Sequence, residues 1–264
     1  MQTAGLQPNS IYDNFEVWAF MDSQMKKVLG ISIIVYFTST WALASDQAEM
    51  LMSKHIEASG GAQALQNMQS ITRQGNIVFY EHDNEIGRFC YRTDLVYPTK
   101  VREQLKSDVI FHERGTDGVL FWLWEGSQYA YTEDQDIKDH MLDTANRANR
   151  EMLWVIQESE NYRLMPSPPG WAPDNSLCIQ GINSNQPNYC FDETTGLINV
   201  IGNLAEYRWV GAWTQVGTVK IPFQLKHYVN GELMYSIQLD VAELDHTILD
   251  DQFIKPDAMQ LFCG

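Results

Sequence analysis

The sequence predicts an α+β protein built on one curved antiparallel sheet of eight or more strands, a half-barrel whose concave apolar face is covered by helices. Three observations predict it. Alternation of apolar and polar residues with a period of two recurs through consecutive segments. The period switches to three and four at residues 46–68 and 133–157. The strands are apolar on one face, and a one-faced sheet of that width must curl or be covered.

The elements follow in order. Ala48, Leu51, Met52, His55, Ile56 and Ser59 form one stripe of an amphipathic helix over 46–58, which Gly60-Gly61 ends. Ala62, Leu65 and Met68 predict a second short helix. Ile71, Gly75, Ile77 and Phe79 then alternate with Thr72, Gln74 and Asn76. Beyond the turn at His82-Asp83-Asn84, Phe89, Tyr91, Leu95 and Tyr97 repeat the pattern. Residues 99–111 continue it as one segment carrying Val101, Leu105, Val109 and Phe111. Gly115-Thr116-Asp117-Gly118 reads as a turn. The run Val119 to Trp124 is apolar on both faces, so it predicts a strand buried on each side, or with core on one side and ligand on the other. Tyr129 and Tyr131 continue it past Gly126-Ser127.

Ile137, Met141, Ala145, Ala148, Met152, Val155 and Ile156 define one long helix over 133–157. The prolines at 166, 168, 169 and 173 mark a loop or flap. Strands resume at 176–182, 188–193 and 196–210. Two regular ones close the chain, at 219–229 and 231–241, joined by the hairpin pair Asn230-Gly231.

Met25-Lys26-Lys27, an uncharged run from Val28 to Trp41, and Ala42-Leu43-Ala44 have the three-part form of a cleavable signal peptide, residues 25–44. The run is shorter than the ~20 apolar residues that a spanning helix needs. Residues 1–24 hold acidic side chains and no basic ones, unlike a signal n-region, and read as a disordered upstream extension. The working molecule is then residues 45–264, a periplasmic domain without a stable membrane anchor after cleavage. Its 16 basic and 31 acidic residues give a net charge of −15. That argues against a nucleic-acid partner and against docking on anionic lipid by charge.

Four cysteines suit an oxidising compartment. Cys178 and Cys190 flank a turn-rich stretch, 183–188, between strand-like runs, which predicts a disulfide between them. Cys90 and Cys263 remain, and whether they pair is left open. With no CxxC, a metal site is not expected, and no sequence feature implies a cofactor. HExxH, GxSxG and GxxxxGK[ST] do not occur, and the six histidines are scattered. His55, on an apolar stripe, reads as a packed core histidine. Glu133, Asp134, Asp136 and Asp139 lack the glycine and terminal glutamate of a calcium loop and suit a helix N-terminus. No catalytic residue is assigned.

Lys54 to Gly61 with Ala64-Leu65, Gly115-Thr116-Asp117-Gly118 before an aromatic strand, Phe191 to Leu197, Glu206-Tyr207-Arg208, Val219 to Pro222, and Asp250 to Pro256 together resemble LolA/LolB-like, outer-membrane lipoprotein-sorting proteins. The resemblance spans nearly all of residues 45–264. It implies a half-barrel with a helical lid over an apolar cavity that receives acyl chains; with no catalytic constellation in the sequence, enzymatic activity is not expected. The expected ligand is hydrophobic: an acyl chain, a lipid or a lipoprotein. An envelope protein partner recognised on the same fold is the alternative. The surplus of aromatic and Met residues supplies the candidate cavity wall: Trp122, Trp124, Tyr129, Tyr131, Met141, Met152, Tyr207 and Trp209, with Trp154 and Trp213 in the same surplus.

Overall fold

The computed structural model describes residues 46–108, 110–125 and 128–256. The expected signal peptide, the expected upstream extension and Cys263 lie outside these. Residues 46–58 form helix α1, and the whole predicted stripe from Ala48 to Ser59 is buried, none of it more than 7% exposed. Helix α2 (Ala62–Asn67) follows and buries Leu65.

Six strands then run as a meander: β1 (Ser70–Glu81), β2 (Asn84–Val96), β3 (Lys100–Lys106), β4 (Phe111–Thr116), β5 (Phe121–Glu125) and β6 (Gln128–Tyr131). After helices α3 (Gln135–Arg147) and α4 (Glu151–Val155) and a 3-10 turn over Ile156–Asn161, a second meander runs back. It comprises β7 (Tyr162–Leu164), β8 (Ser176–Gly181), β9 (Asn188–Asp192), β10 (Ile198–Gly202), β11 (Glu206–Val216), β12 (Val219–Val229) and β13 (Glu232–Leu244). β13 pairs with β1, so the order is β6-β5-β4-β3-β2-β1-β13-β12-β11-β10-β9-β8-β7, a single antiparallel sheet that does not close.

This topology explains the lid. The segment from β6 to β7 must travel between the two outer strands, and it does so as α3 and α4 over the concave face. Curvature follows from a simple size argument. Residues from eight adjacent strands, β4 across to β10, line one cavity of about 500 Å³. Laid flat, those strands would span roughly 34 Å, against about 10 Å for a compact void of that size, so the sheet curls. At the central seam the β1–β13 register shifts between Gln74 and Gly75, with Asp240 of β13 as the extra residue. A side chain at Gly75 would meet the Gln238 carbonyl at 2.1 Å, so only glycine lets the two backbones approach and bend there. Two of the tight hairpins have left-handed pairs at their turns: His82 and Asp83 at φ 47° and 63°, Asn230 and Gly231 at 51° and 84°.

Four expectations are corrected. The helix over 133–157 is broken: Ala148 leaves helical geometry at ψ 124° and Asn149 sits at φ 61°. Tertiary contacts hold the break. The Arg150 guanidinium donates to the Leu65, Gln66 and Met68 carbonyls at the end of α2 and stacks 3.9 Å over the Tyr97 ring, while the Tyr97 hydroxyl donates to the Ala148 carbonyl at 2.6 Å. Residues 99–111 are not one strand; the Ser107 N–H donates to the Ile110 carbonyl and turns the chain into β4, which takes in Gly115 and Thr116. Residues 196–210 split likewise, because the Asn203 side chain accepts from the Ala205 and Glu206 N–H groups. Val119 and Leu120 are exposed and precede β5, so the apolar run is not buried throughout. The Asp134 side chain caps α3 by accepting the Ile137 N–H at 3.1 Å.

Removing the hydroxyl that holds the break should cost little but measurably. Tyr97→Phe leaves the Ala148 carbonyl without this donor and is expected to lower the unfolding free energy by about 1 kcal/mol in urea titration.

Candidate functional site

The concave face carries the main core. α1 packs over β9 to β12, with the Lys220 N–H donating to the Ser59 carbonyl. α3 and α4 lie over the other side, burying Met141, Ala145, Met152 and Val155. Between them the core is incomplete, leaving the 500 Å³ cavity. Its apolar walls are Ile77 and Phe79 on β1, Leu105 on β3, Val210 on β11, Leu225 on β12 and Ile237 on β13. Sheet register puts them in one band: Ile77 opposes Ile237, Ile237 opposes Leu225, and Leu225 opposes Val210.

The band is not purely apolar. Arg73, Glu103, His112, Arg114, Arg208 and Lys220 reach the cavity from the sheet, and His140, Asp143, Arg147, Asn149 and Glu151 reach it from the lid. Arg114 pairs with Glu103 at 2.5 Å, Arg147 with Asp143 at 2.9 Å, and the Tyr189 hydroxyl donates to Glu151 at 2.7 Å. Burial, with help from Glu151, pushes the Tyr189 hydroxyl far above its ordinary range, so it stays a neutral donor. His112 is held below the usual imidazole range by burial first and the Arg114 charge second, with Glu103 opposing.

His55 closes the cavity from α1. It packs against Phe191 and Trp213, with ring centroids 5.9 and 5.6 Å away. Its Nδ1 accepts the Ile198 N–H at 3.2 Å, which places the proton on Nε2, 3.3 Å from Ser59 Oγ. Burial lowers its pKa to about 4. It is a packed, hydrogen-bonded histidine, as its place on the apolar stripe predicts.

Of the eight residues expected on the wall, Met152 lines the cavity, and Met141 is buried in the core beneath α3. Trp122, Trp124 and Tyr129 lie together on the opposite face of the sheet. Register shows why: His112 and Arg114 of β4 face the cavity, so Gly115 faces away, and Trp122 is its partner on β5. A side chain at Gly115 would strike the Trp122 ring at 2.3 Å; glycine leaves the room the indole fills. There Trp122 donates to the Phe253 carbonyl at 2.8 Å, and Tyr129 packs edge-on against Trp122 and Trp124. Tyr131 is exposed, with Lys255 over its ring.

Tyr207 and Trp209 also lie elsewhere. They cover a second small core around Cys178, Cys190 and Val200, where Trp171 of the proline-rich loop stacks on Tyr207 at 5.3 Å. Cys178 and Cys190 form the expected disulfide, as directly opposed residues of β8 and β9 with Cα atoms 4.0 Å apart. Cys90 is also disulfide-bonded. Trp213, beyond Ala212 at φ 50°, does face the cavity, its indole donating to the Ile198 carbonyl at 2.9 Å. Sequence reasoning passed over the charged wall residues, Arg73 above all.

Among the described residues no helix is long and apolar enough to cross a membrane, and no group of three or more His, Cys, Asp and Glu converges as a metal site.

The fold and its cavity define a class: a β half-barrel, covered by helices on the concave side, with a ligand-sized cavity between helices and sheet. No family model and no curated protein matches the chain. Among solved structures, a DUF1329 family protein from Desulfovibrio piger is similar, at 7% identity over 80% of this chain and 97% of that one, with a TM-score of 0.51; the likeness is one of fold. A LolA superfamily protein from Nitrosomonas europaea aligns at 13% identity over 79% of this chain and 97% of that one, with a TM-score of 0.49. The observed architecture, one curved and unclosed antiparallel sheet with helices, is the half-barrel that the sequence predicts.

Proposed function

We propose that this protein is a non-catalytic periplasmic carrier that binds the acyl chain of a lipid or lipoprotein in the cavity under α3 and α4. The cavity itself carries the reading. A helix–sheet interface serving only stability packs to the density of an organic crystal. Here about 500 Å³ lies open between Ile77, Phe79, Leu105, Val210, Leu225 and Ile237. Met152 from the lid side completes the apolar wall.

The energetics fit such a cargo. Each buried methylene contributes roughly 0.8 kcal/mol, so about ten methylenes supply the free energy of micromolar binding. Release follows when α3 closes against the sheet and competes for the same surface. Export fits the residues 25–44 pattern, and N-terminal sequencing of the secreted protein is expected to begin at Ser45.

Native mass spectrometry of gently purified protein should show a bound lipid mass. A clean apo mass, together with no binding of an apolar fluorescent probe, overturns the proposal; a single stable protein partner in crosslinking, without lipid, would favour the envelope-partner alternative. Filling the cavity gives a sharper check. Ile237→Trp should weaken dodecanoate binding at least about tenfold while the melting temperature changes by only a few degrees, because the ring enters existing space and avoids the usual cost of overpacking.

A further inference from the structure

We infer that the cargo is an anionic amphiphile, its head group held by Arg73 and its tail lying along the apolar band; this rests on the carrier reading above.

The charges around the cavity are unbalanced. Five cations line it, Arg73, Arg114, Arg147, Arg208 and Lys220, against three carboxylates, Glu103, Asp143 and Glu151. All three carboxylates are engaged, on Arg114, on Arg147 and on the Tyr189 hydroxyl. Arg73, Arg208 and Lys220 therefore face the cavity without an ion-pair partner among the described residues. The excess of positive charge stands out in a chain of net charge −16. The three histidines on the wall do not offset it, because a histidine is neutral or cationic.

Arg73 is the focus. It occupies an inward position of β1, two residues from Gly75 and four from Ile77, so its stem runs along the apolar band. Its Nε is fully covered and has no protein acceptor. Its cross-strand partner Thr93 is fully buried, and the Thr93 hydroxyl is likewise unpartnered. From the lid, Asn149 presents a buried Nδ2 with no acceptor and is held in its left-handed backbone conformation. Buried polar groups are nearly always paired. Here a guanidinium N–H and an amide N–H on two residues of the cavity wall lack acceptors, with the unpartnered Thr93 hydroxyl beside Arg73, and both N–H groups can donate to an anionic oxygen. A carboxylate or a phosphate monoester would satisfy them; a neutral ester or alcohol would leave the charge unmatched.

The test compares dodecanoate, dodecyl phosphate, dodecan-1-ol and inorganic phosphate as ligands of the full chain at neutral pH and low salt. Dodecanoate or dodecyl phosphate should bind at least about tenfold more tightly than the alcohol, with the tighter of the two naming the head group, and inorganic phosphate should bind far more weakly than either. Arg73→Gln should reduce the acid-over-alcohol preference to within about threefold. Arg73→Lys, which keeps the charge, should retain most of the preference. Equal binding of acid and alcohol overturns the inference and spares the carrier reading, as does a preference that survives Arg73→Gln in folded protein. Inorganic phosphate binding as tightly as dodecyl phosphate also overturns it, by marking a free-anion site. Failure of all the amphiphiles to bind removes the carrier reading itself.

Discussion

Glu113→Ala should destabilise the protein by about 3–5 kcal/mol in chemical denaturation, the largest loss expected of any single truncation outside the apolar core. Glu113 is fully buried on the face of the sheet away from the cavity. Its carboxylate accepts from Arg102, from Gln104 Nε2 at 2.8 Å and from the Tyr129 hydroxyl. Arg102 is itself only 4% exposed. Truncation therefore takes the shared carboxylate away from a buried guanidinium, an amide and a phenol at once. Attraction within the pair does not by itself imply that the pair stabilises the fold, since burying both ions carries a desolvation cost of similar size. The contrast can be measured. Replacing the network by apolar groups of like volume, Arg102→Met with Glu113→Leu and Tyr129→Phe, should recover most of the loss. If Glu113→Ala alone costs less than about 1 kcal/mol, the network is not the tightly satisfied unit its geometry describes.

The same corner shows how far the sequence could be read. Period-two patterning located most of the strands, and the α1 stripe was legible residue by residue, because both depend on which side chains share a face. The run Val119 to Trp124 is apolar at every position, so its pattern does not say which face meets the cavity. That face is set by pairing with β4, where Gly115 lies opposite Trp122. Trp122, Trp124 and Tyr129 thus serve a separate small core. Similarly, the break at 148–150 depends on Arg150 reaching carbonyls more than eighty residues earlier in the chain, a contact that no local spacing encodes.

Arg73 was legible and passed over. Ile71, Gly75, Ile77 and Phe79 share one parity, and position 73 belongs to it. A cation in an inward row is a stronger sign of a site than aromatic content, which cores use freely. Glu103 gives the same signal between Val101 and Leu105. Both residues reach the cavity.

Acidification should destabilise the fold through His55, with the effect confined to a defined window. Its pKa is about 4 in the folded protein against 6.5 when unfolded, so the unfolded chain binds the proton more readily. A lowered folded pKa means that its contribution is fully present above pH 6.5, erodes as pH falls, and is gone below about pH 4. A shift of that size corresponds to about 3 kcal/mol, since His55 is buried and little screened. The cause is local: burial disfavours the imidazolium, and a proton on Nδ1 would face the Ile198 N–H that now donates to it, although the nearby Gly196 backbone favours the charge. His55→Phe keeps an aromatic ring against Phe191 and Trp213 but cannot titrate. Its stability should be lower at pH 7, where the Ile198 N–H and the Ser59 hydroxyl lose their partner, and should fall less steeply than the wild type between pH 6.5 and 4. Parallel slopes for the two proteins across that window would refute the assignment.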